Sequence, residues 1–149
     1  MHSYVFPGDI DPKIAAIGSK PFLYMRTDEF SEINKESERI LLELIHCPGG
    51  RTIIYTGSGT GAMSAVVENY VTTKKKAIVI DGGSFGHRWF DLCNYYGVDA
   101  IDFKVPFAKD IDYDLLEKTV AEEKPEVFLC QHHETSTGQL FNLEKISAI

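Results

Sequence analysis

Three short polar runs have residue types and spacings that suit a small anionic or planar ligand. The first is Gly57-Ser58-Gly59-Thr60-Gly61, set between a β-rich run and a helical one. Glycine lets the backbone turn tightly and approach a ligand. The free N–H groups of a helix that starts there face an anion, with the helix dipole behind them. Ser58 and Thr60 add hydroxyl donors. The competing reading is a glycine turn that only closes a βα unit. A nucleoside-triphosphate loop requires Lys-Ser or Lys-Thr after its last glycine, whereas Ala62-Met63 follows Gly61. The dinucleotide fingerprint wants GxGxxG and an acid about 20 residues on. The glycines here run GxGxG, and Asp81 stands at a suitable distance. A nucleoside cofactor of the NAD or methyl-donor type, with Asp81 on a ribose, therefore stays open beside a plain strand-end acid.

The second run is Gly82-Gly83-Ser84-Phe85-Gly86-His87-Arg88. Phe85 stands among small residues, where an aromatic can cover a planar ring or join the local core. His87 and Arg88 fall in a first helical turn, where the dipole disfavours positive charge. They pair with an anion or an acid from elsewhere, or are solvated. The third run is His132-His133-Glu134-Thr135-Ser136-Thr137-Gly138. Adjacent histidines on a strand point to opposite faces and do not readily share a metal. No HExxH is present, so no metal site is expected. The surroundings of Ser136 are not GxSxG, so it is no obvious nucleophile. Arg26, in YMRTDEF, can receive a carboxylate through a bidentate fork or pair with a surface acid.

These runs need elements to hold them. Residues 31–46 carry an amphipathic helical stripe that Pro48-Gly49-Gly50 stops. A strand is predicted at 51–56, a mostly apolar helix packed on more than one side at 62–71, and a strand at 76–80. A helix follows at 86–96 with Gly97 as its cap, then a strand at 99–105. A helix to about 123 starts from Asp112 or Asp114, and another strand lies at 126–131. Asn142 caps a short terminal helix. Residues 1–21 read as an arm or lead-in strand, not a helix. The strands are apolar without clean alternation, as in parallel sheets covered on both faces. The fold class is α/β, with the chemistry at strand ends.

Composition narrows the function. The chain has 149 residues, 15 Lys plus Arg and 22 Asp plus Glu, a formal net charge of −7. That balance disfavours nucleic acid as the main partner. No apolar stretch approaches the roughly 20 residues of a membrane span. The three cysteines, Cys47, Cys93 and Cys130, form no CxxC pair, so a reduced, cytoplasmic setting is expected.

Taken together, YTGSGTGAMSA (55–65), DGGSFGHRW (81–89) and HHETSTG (132–138) resemble the class V pyridoxal-phosphate-dependent aminotransferases. The alanine–glyoxylate, serine–glyoxylate and 2-aminoethylphosphonate–pyruvate types are the nearest in pattern. The resemblance covers residues 21–149. Met25-Arg26-Thr27 is similar to the family's His-Arg-Ser segment, with Met25 in place of His. The resemblance implies a three-layer, aspartate aminotransferase-like large domain of fold type I. It implies an incomplete one: an arm at 1–20, the N-terminal portion of the cofactor domain at 21–149, and no Schiff-base lysine or small C-terminal domain.

Carried over residue by residue, Ser58, Gly59 and Thr60 hold the cofactor phosphate and Phe85 stacks on the pyridine ring. Thr135 bonds the ring-oxygen side, Glu134 supports the ring as a catalytic-site residue, and Arg26 binds substrate. The implied activity moves an amino group from a small amino acid or amino-phosphonate to a 2-oxo acid, in a homodimer when complete. Cysteine desulfurase or lyase chemistry on the same fold remains an alternative.

Overall fold

The computed structural model describes residues 10–149, and the chain divides into two compact units between Tyr55 and Thr56. In the first unit, α1 (Pro12–Gly18) corrects the expectation of an arm or lead-in strand; residues 1–9 of that arm lie outside the described residues. The cause is local. Asp11 caps the helix, its Oδ1 accepting from Lys13 N at 2.7 Å, and Pro12 at the first helical position has its φ pre-set.

Helix α2 (Asp28–Leu44) starts three residues earlier than its apolar stripe suggested. Thr27 Oγ1 accepts from Phe30 N at 3.3 Å, and Asp28 and Glu29 complement the dipole in the first turn. The strand predicted at 51–56 is not formed. Ile53, Ile54 and Tyr55 are exposed, and no ladder partner faces them among the described residues. An apolar β-rich run becomes a strand only where another strand accepts its hydrogen bonds.

The second unit carries the α/β layer. Helix α3 (Gly59–Asn69) is followed by a 3₁₀ turn at Val71–Thr73, strand β1 (Ala77–Asp81) and helix α4 (Ser84–Tyr95). Strand β2 (Ala100–Lys104), helix α5 (Tyr113–Glu123) and strand β3 (Val127–Leu129) come next. The strands pair in parallel in the order β2-β1-β3, with Ala77 opposite Ala100 and Val127. Central β1 is buried throughout.

Its alternating side chains feed two cores. Ala77 and Val79 meet Val67, Val71, Cys93 and Leu129, with Trp89 and Phe90 packed against them. Ile78 and Ile80 meet Phe103, Ile111, Leu116 and Phe141. Helices α3 and α4 thus cover one sheet face and α5 the other, which gives three layers. Helix α3 buries only Met63 and Val67, so the expectation of packing on several sides is corrected.

Caps explain the element ends. Gly97 takes φ 72°, and Val98 N returns to Cys93 O at 2.8 Å, closing α4 as a glycine C-cap does. Asp112, not Asp114, caps α5, with Leu115 N donating to Oδ1 at 3.0 Å. After β3 the chain forms a small antiparallel hairpin, β4 (His133–Glu134) with β5 (Gln139–Leu140), turned through Gly138 at φ 75°. Helix α6 (Leu143–Ser147) follows, capped by Asn142. No described helix is long and apolar enough to cross a membrane.

Candidate cofactor site

Helix α3 begins at the glycine run. Ser58 is its N-cap: the hydroxyl accepts from Gly61 N at 3.1 Å and the carbonyl from Ala62 N at 3.1 Å. The amides of Gly59 and Thr60 have no hydrogen-bond partner among the described residues. A Cβ added at Gly59 would meet nothing within 4 Å, so the approach to these amides is open. Arg88, on α4, leans over this turn and donates from Nη1 to Thr60 Oγ1 at 3.0 Å. Arg88 forms no ion pair among the described residues.

Phe85 lies in the first turn of α4. It is 38% exposed and belongs to neither core. The Arg88 guanidinium stands 5.7 Å from its ring centre. Gln131, just past β3, reaches toward Phe85 O at 3.5 Å and Met63 Sδ at 3.9 Å, and so spans α3 and α4.

Glu134 is fully buried. Its Oε2 accepts from Gly86 N at 2.7 Å. Its Oε1 accepts from Phe85 N at 3.3 Å, Ser136 N at 3.1 Å and Ser136 Oγ at 2.6 Å. Ser136 Oγ in turn accepts from Ser84 N at 2.9 Å. Burial pushes the Glu134 carboxyl up. The Ser136 hydroxyl and then the three amides outweigh it and hold the group below its ordinary value. Three of these donors converge on Oε1 and one on Oε2. The expectation that Glu134 sits beneath or beside a cofactor ring is joined by an observed local role, that of an acceptor at the start of α4. Thr135 beside it is exposed.

Asp81 ends β1 and is buried. It receives His87 Nδ1 at 2.8 Å and the Lys104 ammonium, which also holds Asp102 Oδ2 at 2.7 Å. Burial pushes the Asp81 carboxyl up, but Lys104 and His87 hold it below the ordinary carboxylate range. Lys104 is shifted upward by Asp102 and Asp81 and stays an ammonium. Asp81 is thus engaged by its own neighbours, which removes the acid that the ribose reading relied on. His87 is the partner of this acid, not a solvated residue. Asp81, His87 and Asp102 bring ligand-type atoms within 4.8 Å of one another, but the Lys104 ammonium supplies the positive charge there.

The structure brings Ser58, Gly59, Thr60, Phe85 and Glu134 into one connected group at the carboxyl edge of the sheet, and Thr135 follows Glu134 in the exposed turn. The link runs from Thr60 through Arg88 and Phe85 to Glu134. Arg26 belongs to the first unit, on the exposed turn before α2. Ser136 and Gln131 were not nominated from the sequence. Their bonds to α3 and α4 span 46 to 68 positions, which local spacing does not reveal.

The aminotransferase class-V family model matches residues 19–149. The chain is 31% identical over 138 residues to serine–glyoxylate aminotransferase of Hyphomicrobium methylovorum, covering 89% of this chain and 33% of that protein. It is 28% identical over 137 residues to the small subunit of the soluble hydrogenase of Synechococcus sp. (strain PCC 6716), covering 90% and 35%. A crystal structure of the subgroup IV aspartate aminotransferase of Thermus thermophilus superposes with a TM-score of 0.78 at 28% identity, covering 93% of this chain and 38% of that one. The chain spans about a third of the length of the curated relatives it matches. Its α/β fold is that of the fold-type I aminotransferases, and the chain belongs to the class V aminotransferase family.

Proposed function

We propose that this chain forms the N-terminal portion of the cofactor domain of a pyridoxal-phosphate-dependent aminotransferase. The whole protein transfers an amino group between a small amino acid or amino-phosphonate and a 2-oxo acid of the pyruvate or glyoxylate type. The observation that carries this reading is the open N-terminus of α3 beside a half-exposed aromatic and the Thr135 turn. These residues fit the cofactor's chemistry. Two unpartnered amides, two hydroxyls and the Arg88 cation suit a phosphate, and Phe85 is free of the core to lie along a planar ring.

Bound there, pyridoxal phosphate would supply an electron sink for chemistry at the donor's Cα. The chain's own residues hold and orient. The Gly59 and Thr60 amides, with the Ser58 and Thr60 hydroxyls, anchor the phosphate end. Phe85 keeps one ring face dry. The Thr135 hydroxyl orients the ring-oxygen side, and Arg26 receives a substrate carboxylate. We nominate no lysine within 1–149 as the amine that carries the cofactor. Lys104 is held as an ammonium between two carboxylates, and Lys145 lies over the Tyr113 ring on α6. The names of the relatives support the glyoxylate- and pyruvate-type acceptors.

The test uses the protein isolated at its native length. Incubated with pyridoxal 5′-phosphate, it is expected to develop a visible or near-ultraviolet absorbance band that borohydride bleaches. It should consume serine, alanine or 2-aminoethylphosphonate with glyoxylate or pyruvate. Retention of a nucleoside cofactor and no such band would refute the reading.

A further inference from the structure

We propose that Glu134 is the positioning residue of this site: a permanent internal anion that fills the N-terminus of α4 and thereby fixes Phe85 against the Thr135 turn. The claim that Phe85 and the Thr135 turn hold a cofactor rests on the function proposed above; the positioning itself does not. Helix α4 spans twelve residues and has no side-chain cap of its own, its N-cap being Gly83. Unsatisfied N–H groups at a buried helix start are costly. Here they find a carboxylate 48 and 49 positions further along the chain.

A buried carboxylate is equally costly unless hydrogen bonds meet it. This one accepts four, two from the first turn of α4 and two from Ser136. Each partner resolves the other's deficit, so the helix start and the hairpin turn are tied in one geometry. The glycines provide the room. A Cβ at position 83 would come within 2.7 Å of Glu134 Cγ, and one at 86 within 2.6 Å of Ile80 O. The tie also sets anion preference. With α4 neutralised from within, an incoming phosphate is left the N-terminus of α3.

The experiment compares the full chain with Glu134→Gln and Glu134→Ala by amide hydrogen exchange, without cofactor. Glu134→Gln keeps the shape and loses the charge. It is expected to raise exchange at Phe85 and Gly86 by about tenfold, while amides of α5 stay near wild type. Glu134→Ala leaves a carboxylate-sized space. Formate, against chloride at equal ionic strength, is expected to raise its thermal midpoint and slow Phe85 exchange, and to leave wild type unmoved. Unchanged exchange at Phe85 and Gly86 in Glu134→Gln overturns the proposal. So does a folded Glu134→Ala that ignores formate. Should Glu134→Ala not fold, the Gln variant decides alone.

Titration with pyridoxal 5′-phosphate separates this proposal from the one it builds on. Weaker binding by Glu134→Gln than by wild type supports both. No binding by wild type, with exchange responding as expected, refutes the cofactor role and leaves the positioning role supported. Equal binding by both proteins with unchanged exchange does the reverse.

Discussion

Helices α3 and α4 start side by side at one sheet edge, and their N-termini are satisfied in opposite ways. Helix α3 is capped by its own Ser58, which leaves two amides open and draws Arg88 over them. Helix α4 has no cap of its own and takes Glu134 and Ser136 from a distant hairpin. The comparison teaches where an outside anion can go. A helix start neutralised by a buried carboxylate is structural. One left open, with an arginine beside it, suits the outside anion of the proposed function.

The largest expected break in this contrast comes from methyl groups added at the two starts. Gly86→Ala forces a Cβ against a backbone carbonyl that cannot yield. It should cost about 3 kcal/mol or prevent folding, read as the urea midpoint. Gly59→Ala meets open space, and its stability should stay within about 0.5 kcal/mol of wild type. On the proposed function its affinity for pyridoxal 5′-phosphate should fall, because the methyl would stand beside the amides proposed to hold the phosphate. Equal stability losses at the two positions would erase the distinction.

Removing the hydroxyls comes next. Ser136→Ala deletes a donor to Glu134 and the acceptor of Ser84 N, and should cost about 2 kcal/mol in denaturant unfolding. Ser58→Ala loses an exposed local cap and should cost about 1 kcal/mol. A reversed order would mean that the distant cap matters less than the local one.

Acid sharpens the same comparison. The Glu134 carboxyl is held low in the folded chain, so its contribution is present above the ordinary carboxylate value of about 4.3. It is lost as pH falls through the lowered folded value. The groups that face it are the amides of Phe85, Gly86 and Ser136 and the Ser136 hydroxyl, none of which titrates in this range. Asp81, lowered by Lys104 and His87, adds acid sensitivity of the same sign. The thermal midpoint of wild type should therefore fall below about pH 4, and that of Glu134→Gln should fall less steeply. Parallel curves would show that Asp81 and other carboxylates carry the whole effect.

The smallest effect on stability is expected at Phe85, which neither core includes. Phe85→Ala should leave the cofactor-free midpoint nearly unchanged. It should weaken pyridoxal 5′-phosphate binding several-fold, consistent with about 0.5–1.5 kcal/mol for a face-on aromatic contact. Phe85→Tyr should keep most of the binding. A large loss of stability with unchanged affinity would return Phe85 to a packing role.

By itself the sequence determined the α/β layer, because its signals are local. Ala77–Ile80 is an apolar run that suits a strand covered on both faces, and all five residues of β1, Asp81 included, are buried. Gly97, Asp112 and Asn142 end or begin helices through bonds to residues within a few positions. The polar runs at 82–88 and 132–138 were legible as segments that follow strands, whereas 57–61 opens α3 with no strand before it. Helix α1 was not read from the sequence, although Asp11 and Pro12 carry its start, because the density of proline and glycine around it masked the cap.

What only the tertiary structure decided depends on partners far along the chain. Residues 51–55 have strand composition and no strand, because pairing is a property of two segments. Glu134 reads locally as one acid in a hydroxyl-rich loop. Folding brings it to a helix start 48 residues earlier, where burial and four donors make it a cap. Asp81 likewise changed from a free acid to the partner of His87 and Lys104 once β2 lay beside β1. A side chain's type sets which bonds it can make. Which bond it makes depends on the groups that desolvation leaves within reach, and only the packed chain specifies those.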